Sequence, residues 1–279
     1  MTGKLFLCAT PIGNLDDITL RVLECLKSVD LIAAEDTRHT QKLLNHFEIK
    51  AKLTSYHEHN KFEKADELVS ELLNGKNIAC VTDAGTPGIS DPGEELVKKA
   101  LDAGITVTSL PGASAVITAL SMSGLSSRRF VFEGFLPTDK KEKKEALKRI
   151  EKETRTIVIY EAPHRILKTL KELREVLGNR EIRIARELTK IHEEVLNLTI
   201  DEAILKYESA EAKGEMVVLI KGLDEEELKS NEIKEWEKIS IEEHLNKYVE
   251  EGISEKEAMK LVAKDRGISK REVYDAVKR

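Results

Sequence analysis

The stretch Val81-Thr82-Asp83-Ala84-Gly85-Thr86-Pro87-Gly88-Ile89-Ser90-Asp91-Pro92-Gly93 decides the reading of this chain. It follows an apolar run at 77–82 and precedes an amphipathic pattern at 93–103, so it joins the carboxyl end of a strand to a helix. Open α/β sheets bind their ligands at that edge. Glycines and prolines fix a tight path whose backbone can approach a ligand closely. Asp83, at the strand end, is placed to accept hydrogen bonds from a ligand. Asp91 stands before Pro92 and three residues before Glu94, the pattern of a helix N-cap with proline at N1.

Two further loops have the same place. Thr10-Pro11-Ile12-Gly13-Asn14 follows the apolar strand Lys4–Cys8, and Pro111-Gly112-Ala113-Ser114 follows Thr106–Leu110. Gly112 permits close approach, and Ser114 offers a hydroxyl beside the free N–H groups of a helix start. Strands are also expected at Leu31–Ala34 and 52–55, with helices near 18–28, 38–47, 62–74 and 113–123. This strand-helix rhythm predicts a mostly parallel sheet covered on both faces. A second α/β segment follows, with strands near 130–134, 156–160, 182–186 and 215–221 and helices near 139–152, 163–177 and 201–207. The expected organisation is therefore 1–123, 124–223 and a C-terminal part, 224–279.

That last part changes character. Residues 224–255 hold 12 acidic and 4 basic side chains, whereas 256–279 hold 4 acidic and 8 basic. Gly-Ile-Ser-x-x-Glu occurs at Gly252–Glu257 and again at Gly267–Glu272, and each copy is a capping-box signature. Two short helices joined at Gly267 are expected, with Ala258, Leu261, Val262, Val273 and Val277 inside, as in a helix-turn-helix.

With 279 residues, 41% hydrophobic and 34% charged, the chain has the composition of a soluble globular protein. No apolar run approaches the roughly 20 residues of a membrane span. The N-terminus reads as a first strand, and the expected location is cytoplasmic. Cys8, Cys25 and Cys80 lack metal spacing and read as buried free thiols. A net charge of −6 argues against a protein that coats nucleic acid, but not against local basic patches. No G-x-x-x-x-G-K-[ST] and no G-x-G-x-x-G opening a first helix occurs, so P-loop and ordinary Rossmann sites are excluded. No residue set has the spacing of a metal site.

Polar residues bunch after several strands: Glu35-Asp36-Thr37-Arg38, Tyr56-His57-Glu58-His59-Asn60, Glu161-Ala162-Pro163-His164-Arg165 and Ala185-Arg186-Glu187-Leu188-Thr189-Lys190. Singly each has an ordinary structural reading, Asp36 as a helix cap and Pro163 as N1 among them. Together they suggest a polar cleft. His57 and His59 would share one face of a strand.

The set Ala9–Asn14, Glu35–Arg38, Asp83–Pro87, Pro111–Gly112 with Ser114, Gly134–Pro137, His164–Arg165, Ala185–Lys190 and Lys213–Val217 resembles the bacterial 16S ribosomal RNA cytidine 2′-O-methyltransferases, a branch of the tetrapyrrole methylase superfamily. The resemblance spans nearly the whole chain. The tetrapyrrole branch usually has Asp-Gly-Asp-Pro where this chain has Asp83-Ala84-Gly85-Thr86-Pro87, a departure that favours the RNA branch. It implies two α/β domains of tetrapyrrole-methylase type, S-adenosyl-L-methionine in the cleft between them, a small C-terminal helical unit and a homodimer. The implied cofactor residues are Pro11, Gly13, Asp83, Ala84, Gly85, Thr86, Pro87, Gly88, Ile89, Pro111, Gly112, Ser114, Tyr160, Ala162, Ala185, Gly214, Glu215 and Met216.

The implied substrate is 16S rRNA in the small ribosomal subunit, methylated at a ribose of the decoding region. A ribose hydroxyl is a poor nucleophile and calls for a general base. Glu35, Asp36, Asp91, Glu187 and Lys190 are the candidates; a carboxylate of the Glu35–Asp36 pair is the working choice, with Arg38 on the neighbouring phosphate. RNA contact is expected of Arg38, His164, Arg165, Arg186 and Lys190, and in the tail of Lys264, Arg266, Lys270 and Arg271. The lysine run at 140–152 offers a second patch for substrate contact, but a plain exposed helix is the expectation for it. Phe132, Phe135, Tyr56 and Tyr160 are the few aromatic candidates for base stacking.

Overall fold

The computed structural model describes residues 1–277. Strands β1 (Lys4–Cys8), β2 (Leu31–Ala34), β3 (Leu53–Ser55), β4 (Ile78–Val81) and β5 (Thr106–Leu110) alternate with helices α1 (Leu20–Ser28), α2 (Thr37–His46), α3 (Lys61–Leu73) and α4 (Gly93–Asp102). All pair in parallel, in the order β3-β2-β4-β1-β5. Successive strand residues point to opposite faces, and both faces are covered. Leu5, Leu7, Ile78 and Cys80 pack with Leu68, Leu72, Leu96 and Ala100 of α3 and α4. Cys8, Ala79 and Val81 pack with Val22, Leu26 and Leu44 of α1 and α2. Helices α1 and α4 leave the neighbouring strands β1 and β4 toward opposite faces, which opens a crevice at the carboxyl ends of those strands.

Helix α5 (Ala115–Met122) leads from β5 toward a second sheet. That sheet comprises β6 (Phe130–Phe135), β7 (Thr156–Glu161), β8 (Glu181–Arg186), β9 (Glu194–Thr199) and β10 (Met216–Ile220), with helices α6 (Lys140–Ile150), α7 (Ile166–Leu177) and α8 (Ile200–Ser209). Its order is β6-β7-β10-β8-β9, and only β6–β7 is parallel. The sequence reading lacked β9. Residues 187–193 carry so many charges that β8 and β9 read as one strand and a loop, yet they form a hairpin. Val158, Ala185, Val217 and Leu219 pack against Val116, Ala119 and Leu120 of α5. On the other face Ile157, Ile159, Ile182, Ile184, Val218 and Ile220 are fully buried.

Residues 1–148 and 156–221 form one compact unit holding both sheets, and 149–155 with the chain from Gly222 onward form a second. Position 123 falls just after α5, between the sheets. The second unit contains α9 (Glu225–Glu237), α10 (Ile241–Glu250), α11 (Glu255–Asp265) and α12 (Lys270–Val277). The expected pair α11–α12 is present, joined through Gly267. The capping box closes at Ser269, whose hydroxyl accepts from Glu272 N–H while Glu272 accepts from Ser269 N–H. Ser254, expected to do the same, makes no backbone cap. Leu245, Ala258, Val262, Ala263 and Val273 form the core, and Ala263 takes the inner place expected of Leu261, which is half-buried.

All three cysteines are free and buried, with Cys8 Sγ 3.7 Å from Cys25 Sγ. Among the described residues no helix is long and apolar enough to cross a membrane.

Candidate active site

A cavity of about 290 Å³ opens at the carboxyl ends of the first sheet and reaches the second. Its construction begins with a staple. Thr10 N–H donates to Gly85 O (2.9 Å), Gly85 N–H donates to Thr10 O (3.0 Å), and the Thr10 hydroxyl donates to Thr82 O (3.0 Å). The loops after β1 and β4 are thereby tied together, with Gly85 at φ +88°, a conformation that glycine adopts without strain. Gly13 joins the β1 loop to the second sheet: a Cβ there would lie 2.7 Å from Leu188 O and 2.8 Å from Thr189 Oγ1. No other residue fits that approach.

Glu35, Thr82, Asp83, Ala84, Gly85, Thr86, Ile89, Ser90, Asp91 and Ser114 line the cavity from the first sheet, with Ile12 and Ala115. Phe135, Tyr160, Ala185, Glu187, Leu188, Lys190, Glu215, Met216 and Val217 line it from the second. Of the residues proposed from sequence, Pro11, Gly13, Pro87, Gly88, Pro111, Gly112, Ala162 and Gly214 flank this lining in the chain without belonging to it. Ile12, Thr82, Ser90, Ala115, Leu188 and Val217 belong to it and were not proposed. Thr82 had a signal, a hydroxyl ending an otherwise apolar strand; the others are small or apolar residues whose side chains carry no chemical mark.

The electrostatics are one-sided. Five carboxylates (Glu35, Asp83, Asp91, Glu187, Glu215) face one ammonium, Lys190, whose Nζ lies 3.0 Å from Glu187 Oε1. Burial, then the neighbouring Glu35 charge, raises the pKa of Asp83; burial likewise raises that of Asp91. Such a site has room for positive charge.

The candidate bases are not equivalent. Glu35 Oε2 accepts from the Thr82 hydroxyl (2.5 Å) and from Asp83 N–H (3.3 Å), while its other oxygen has no partner among the described residues. Asp36 caps α2 by accepting from Arg38 N–H (2.7 Å) and also takes the Arg38 guanidinium at 2.9 Å. Those bonds hold its pKa down at about 2. Asp36 lies outside the cavity lining. Asp91 binds its own loop, accepting from Gly88 N–H (2.9 Å), Ile89 N–H (3.3 Å) and Gly93 N–H (2.7 Å). The capping expectation for it holds in kind but shifts by one residue, because the helix starts at Gly93 with Pro92 in the cap position. Four non-glycine residues have positive φ among the described residues, and Ser90, Glu187 and Thr189 are in these loops. Backbone strain of this kind gathers at functional sites.

Most of the arginines proposed for RNA are engaged within the fold. Arg165 donates to Leu136 O (2.8 Å) and stands 3.4 Å from Glu161, a carboxylate with no exposure. Residues 162–165 form a turn, so α7 starts at Ile166 and Pro163 is not its N1 residue. His164 lies in that turn, exposed. Arg186 pairs with Glu194 across the β8–β9 hairpin at 2.6 Å. Arg266 donates to His244 Nδ1 (3.2 Å) and to the carbonyls of Ile239 and Ser240 (2.7 and 2.9 Å). Arg38, Lys264, Lys270 and Arg271 remain at the surface. His57 and His59 are not on a strand: β3 ends at Ser55, and Asn60 Oδ1 accepts from His57 N–H (2.8 Å) to close a turn. Tyr56 is buried, its hydroxyl donating to Pro92 O (2.7 Å), and so cannot stack on a base. Phe132 and Phe135 pack edge-on or tilted against Tyr160, and Phe135 is half-exposed at the cavity. Among the described residues no group of side chains could hold a metal ion.

Residues 4–204 match the family model described as Tetrapyrrole (Corrin/Porphyrin) Methylases, and the chain belongs to that family. Within it, the chain is 48% identical to Ribosomal RNA small subunit methyltransferase I of Halalkalibacterium halodurans, over 98% of this chain and 94% of the relative. The protein of the same name from Bacillus subtilis is 49% identical over the same shares. The fold is also that of uroporphyrin-III C-methyltransferase from Thermus thermophilus, crystallised with S-adenosylhomocysteine. That likeness has a TM-score of 0.56 and 18% identity, covering 78% of this chain and 97% of that one.

Proposed function

We propose that this protein is an S-adenosylmethionine-dependent methyltransferase acting on 16S ribosomal RNA of the small subunit, at the ribose 2′-hydroxyl of a decoding-region cytidine. The observation that carries the reading is the match, over 98% of the chain, to relatives named as small-subunit rRNA methyltransferases. Membership in a methylase family and the ligand of the Thermus neighbour support the cofactor. The acidic cavity fits it, because S-adenosylmethionine carries a sulfonium and an ammonium against one carboxylate. When bound, it supplies an electrophilic methyl group for in-line displacement.

The chain's own contribution is position and charge. The stapled loops after β1 and β4, with the loop 187–190, wall the methyl donor in. Lys190 would hold its carboxylate, and Asp83 and Glu215 would hold its cationic groups. Glu35 is the general base: it lines the cavity, Thr82 and Asp83 N–H fix one oxygen, and the second oxygen receives the ribose proton. Asp36, ionised and turned to Arg38, orients that arginine toward a phosphate. In this reading segments 1–123 and 124–223 carry the catalytic pocket and 224–279 is an accessory helical unit. The enzyme works in the cytoplasm as a homodimer, a state that the exposed Ile117 and Met122 of α5 support.

The test is transfer of labelled methyl from S-adenosylmethionine to small subunits lacking the modification, with nuclease mapping of the product. A nuclease-resistant, ribose-methylated cytidine is expected. Label entering a base, or a corrin or porphyrin and no RNA, overturns the reading.

A further inference from the structure

Helix α6 carries a row of charge that the site above does not use. Lys140, Lys144 and Lys148 are exposed, and Lys141 beside them; none of the four side chains has a hydrogen-bond or ion-pair partner among the described residues, Lys141 donating only its backbone N–H to Asp139 Oδ1 (2.9 Å). Recurrence every four residues sets the three in one row, spanning about 12 Å along the helix. Glu142 and Glu145 fall to one side of it. The row has a cost within the helix: like charges at i,i+4 repel, and Lys140 in the first turn opposes the helix dipole, although Lys148 in the last turn suits it.

The helix is nevertheless anchored. Lys143 is buried, donates to the Thr169 hydroxyl (3.1 Å) and pairs with Glu172, both on α7. Ala146, Leu147 and Ile150 are buried with it. One lysine of the run is thus structural, and its neighbours are held on a fixed backbone facing solvent. Only residues 136–139 separate Phe135, at the cavity, from Lys140, so the row starts within about 18 Å of that rim. Arg165, Arg186 and Arg266 are meanwhile taken up by internal partners.

We propose that Lys140, Lys144 and Lys148 form a docking rail for the sugar-phosphate backbone of the RNA substrate beside the target nucleotide. The proposal rests on the rRNA reading above and deepens it. Evenly spaced point cations with no exposed aromatic between them suit a regularly charged polyanion held without reading its sequence. The rail acts in binding and takes no part in methyl transfer.

The triple variant K140Q/K144Q/K148Q tests it against K42Q/K50Q/K98Q, which removes the same charge from other exposed positions. Methylation of small subunits is followed as a function of salt, and S-adenosylhomocysteine binding by calorimetry. The rail variant should raise KM for subunits about tenfold or more near physiological salt and reduce the salt slope by about 2–3, the loss of three phosphate contacts. Its kcat and its S-adenosylhomocysteine affinity should equal the parent's. Parental KM and slope in the rail variant, or an equal change in the control, overturn the proposal. A parent that binds S-adenosylhomocysteine but labels no RNA overturns the functional reading, and the rail with it.

Discussion

Replacing Glu161 by leucine tests how the second half of the pocket is held. Glu161 ends β7, directly after Tyr160, and is fully buried. Its carboxylate accepts from Ala162 N–H (2.8 Å) and the Thr169 hydroxyl (2.5 Å) and lies 3.4 Å from Arg165 Nε. Arg165 in turn holds Leu136 O, at the end of β6. One buried charge therefore joins the ends of β6 and β7 to the start of α7. Leucine has the right volume and no acceptor, so it leaves the guanidinium with Leu136 O but no counter-charge, and two donors without their acceptor. Breaking such a pair from one side costs about 3–5 kcal/mol. Partial exposure of Arg165 places this case toward the lower figure. In a domain of this size that is a fall in Tm of roughly 6–20 °C. Urea unfolding gives the free energy, and thermal melting followed by circular dichroism gives the shift. The cost of Arg165→Met should shrink by about 1 kcal/mol or more in the Glu161→Leu background, because the pair is coupled. A loss below about 1 kcal/mol for Glu161→Leu, or strict additivity in the cycle, would refute the reasoning.

Three other perturbations follow from the site. Glu35→Gln should lower kcat about 10²–10⁴-fold in single-turnover methyl transfer, as removal of a general base does, while Asp36→Asn leaves most of the rate; equal losses would reassign the base. For Asp83→Asn the sign runs opposite to that of an ordinary carboxylate. Its pKa is raised in the fold, so the folded state holds the proton more tightly than the unfolded one. The parent should lose stability relative to the variant as pH rises from about 4 through the raised value, and the gap should then level off; urea titrations across pH 3–8, roughly that window, check it, and a gap that does not change with pH would count against it. Gly13→Ala should cost about 1–3 kcal/mol and weaken S-adenosylhomocysteine binding in calorimetry, because its Cβ meets the backbone oxygen of Leu188 at 2.7 Å.

The strands and helices of the first sheet were legible in the amino-acid order, its strand order apart. Short continuous apolar runs, separated by amphipathic helices, point to a parallel sheet buried on both faces. The sequence also placed the loops at 10–14, 83–91 and 111–114 at one edge, since glycine and proline punctuate the chain at the strand ends. The hairpin β8–β9 was not legible, because its turn is as polar as a solvated loop and strand direction is a property of pairing. Nor was the use made of each charge. Arg165, Arg186 and Arg266 look like phosphate ligands in a sequence, and Lys143 looks like its neighbours in a lysine run. What separates them is the partner in the fold: Glu161, Glu194, His244 and Glu172, between 4 and 29 residues away along the chain. A charged side chain reads the same whether it faces water or a buried carboxylate. Only the folded chain, where desolvation requires a counter-charge, decides which it is.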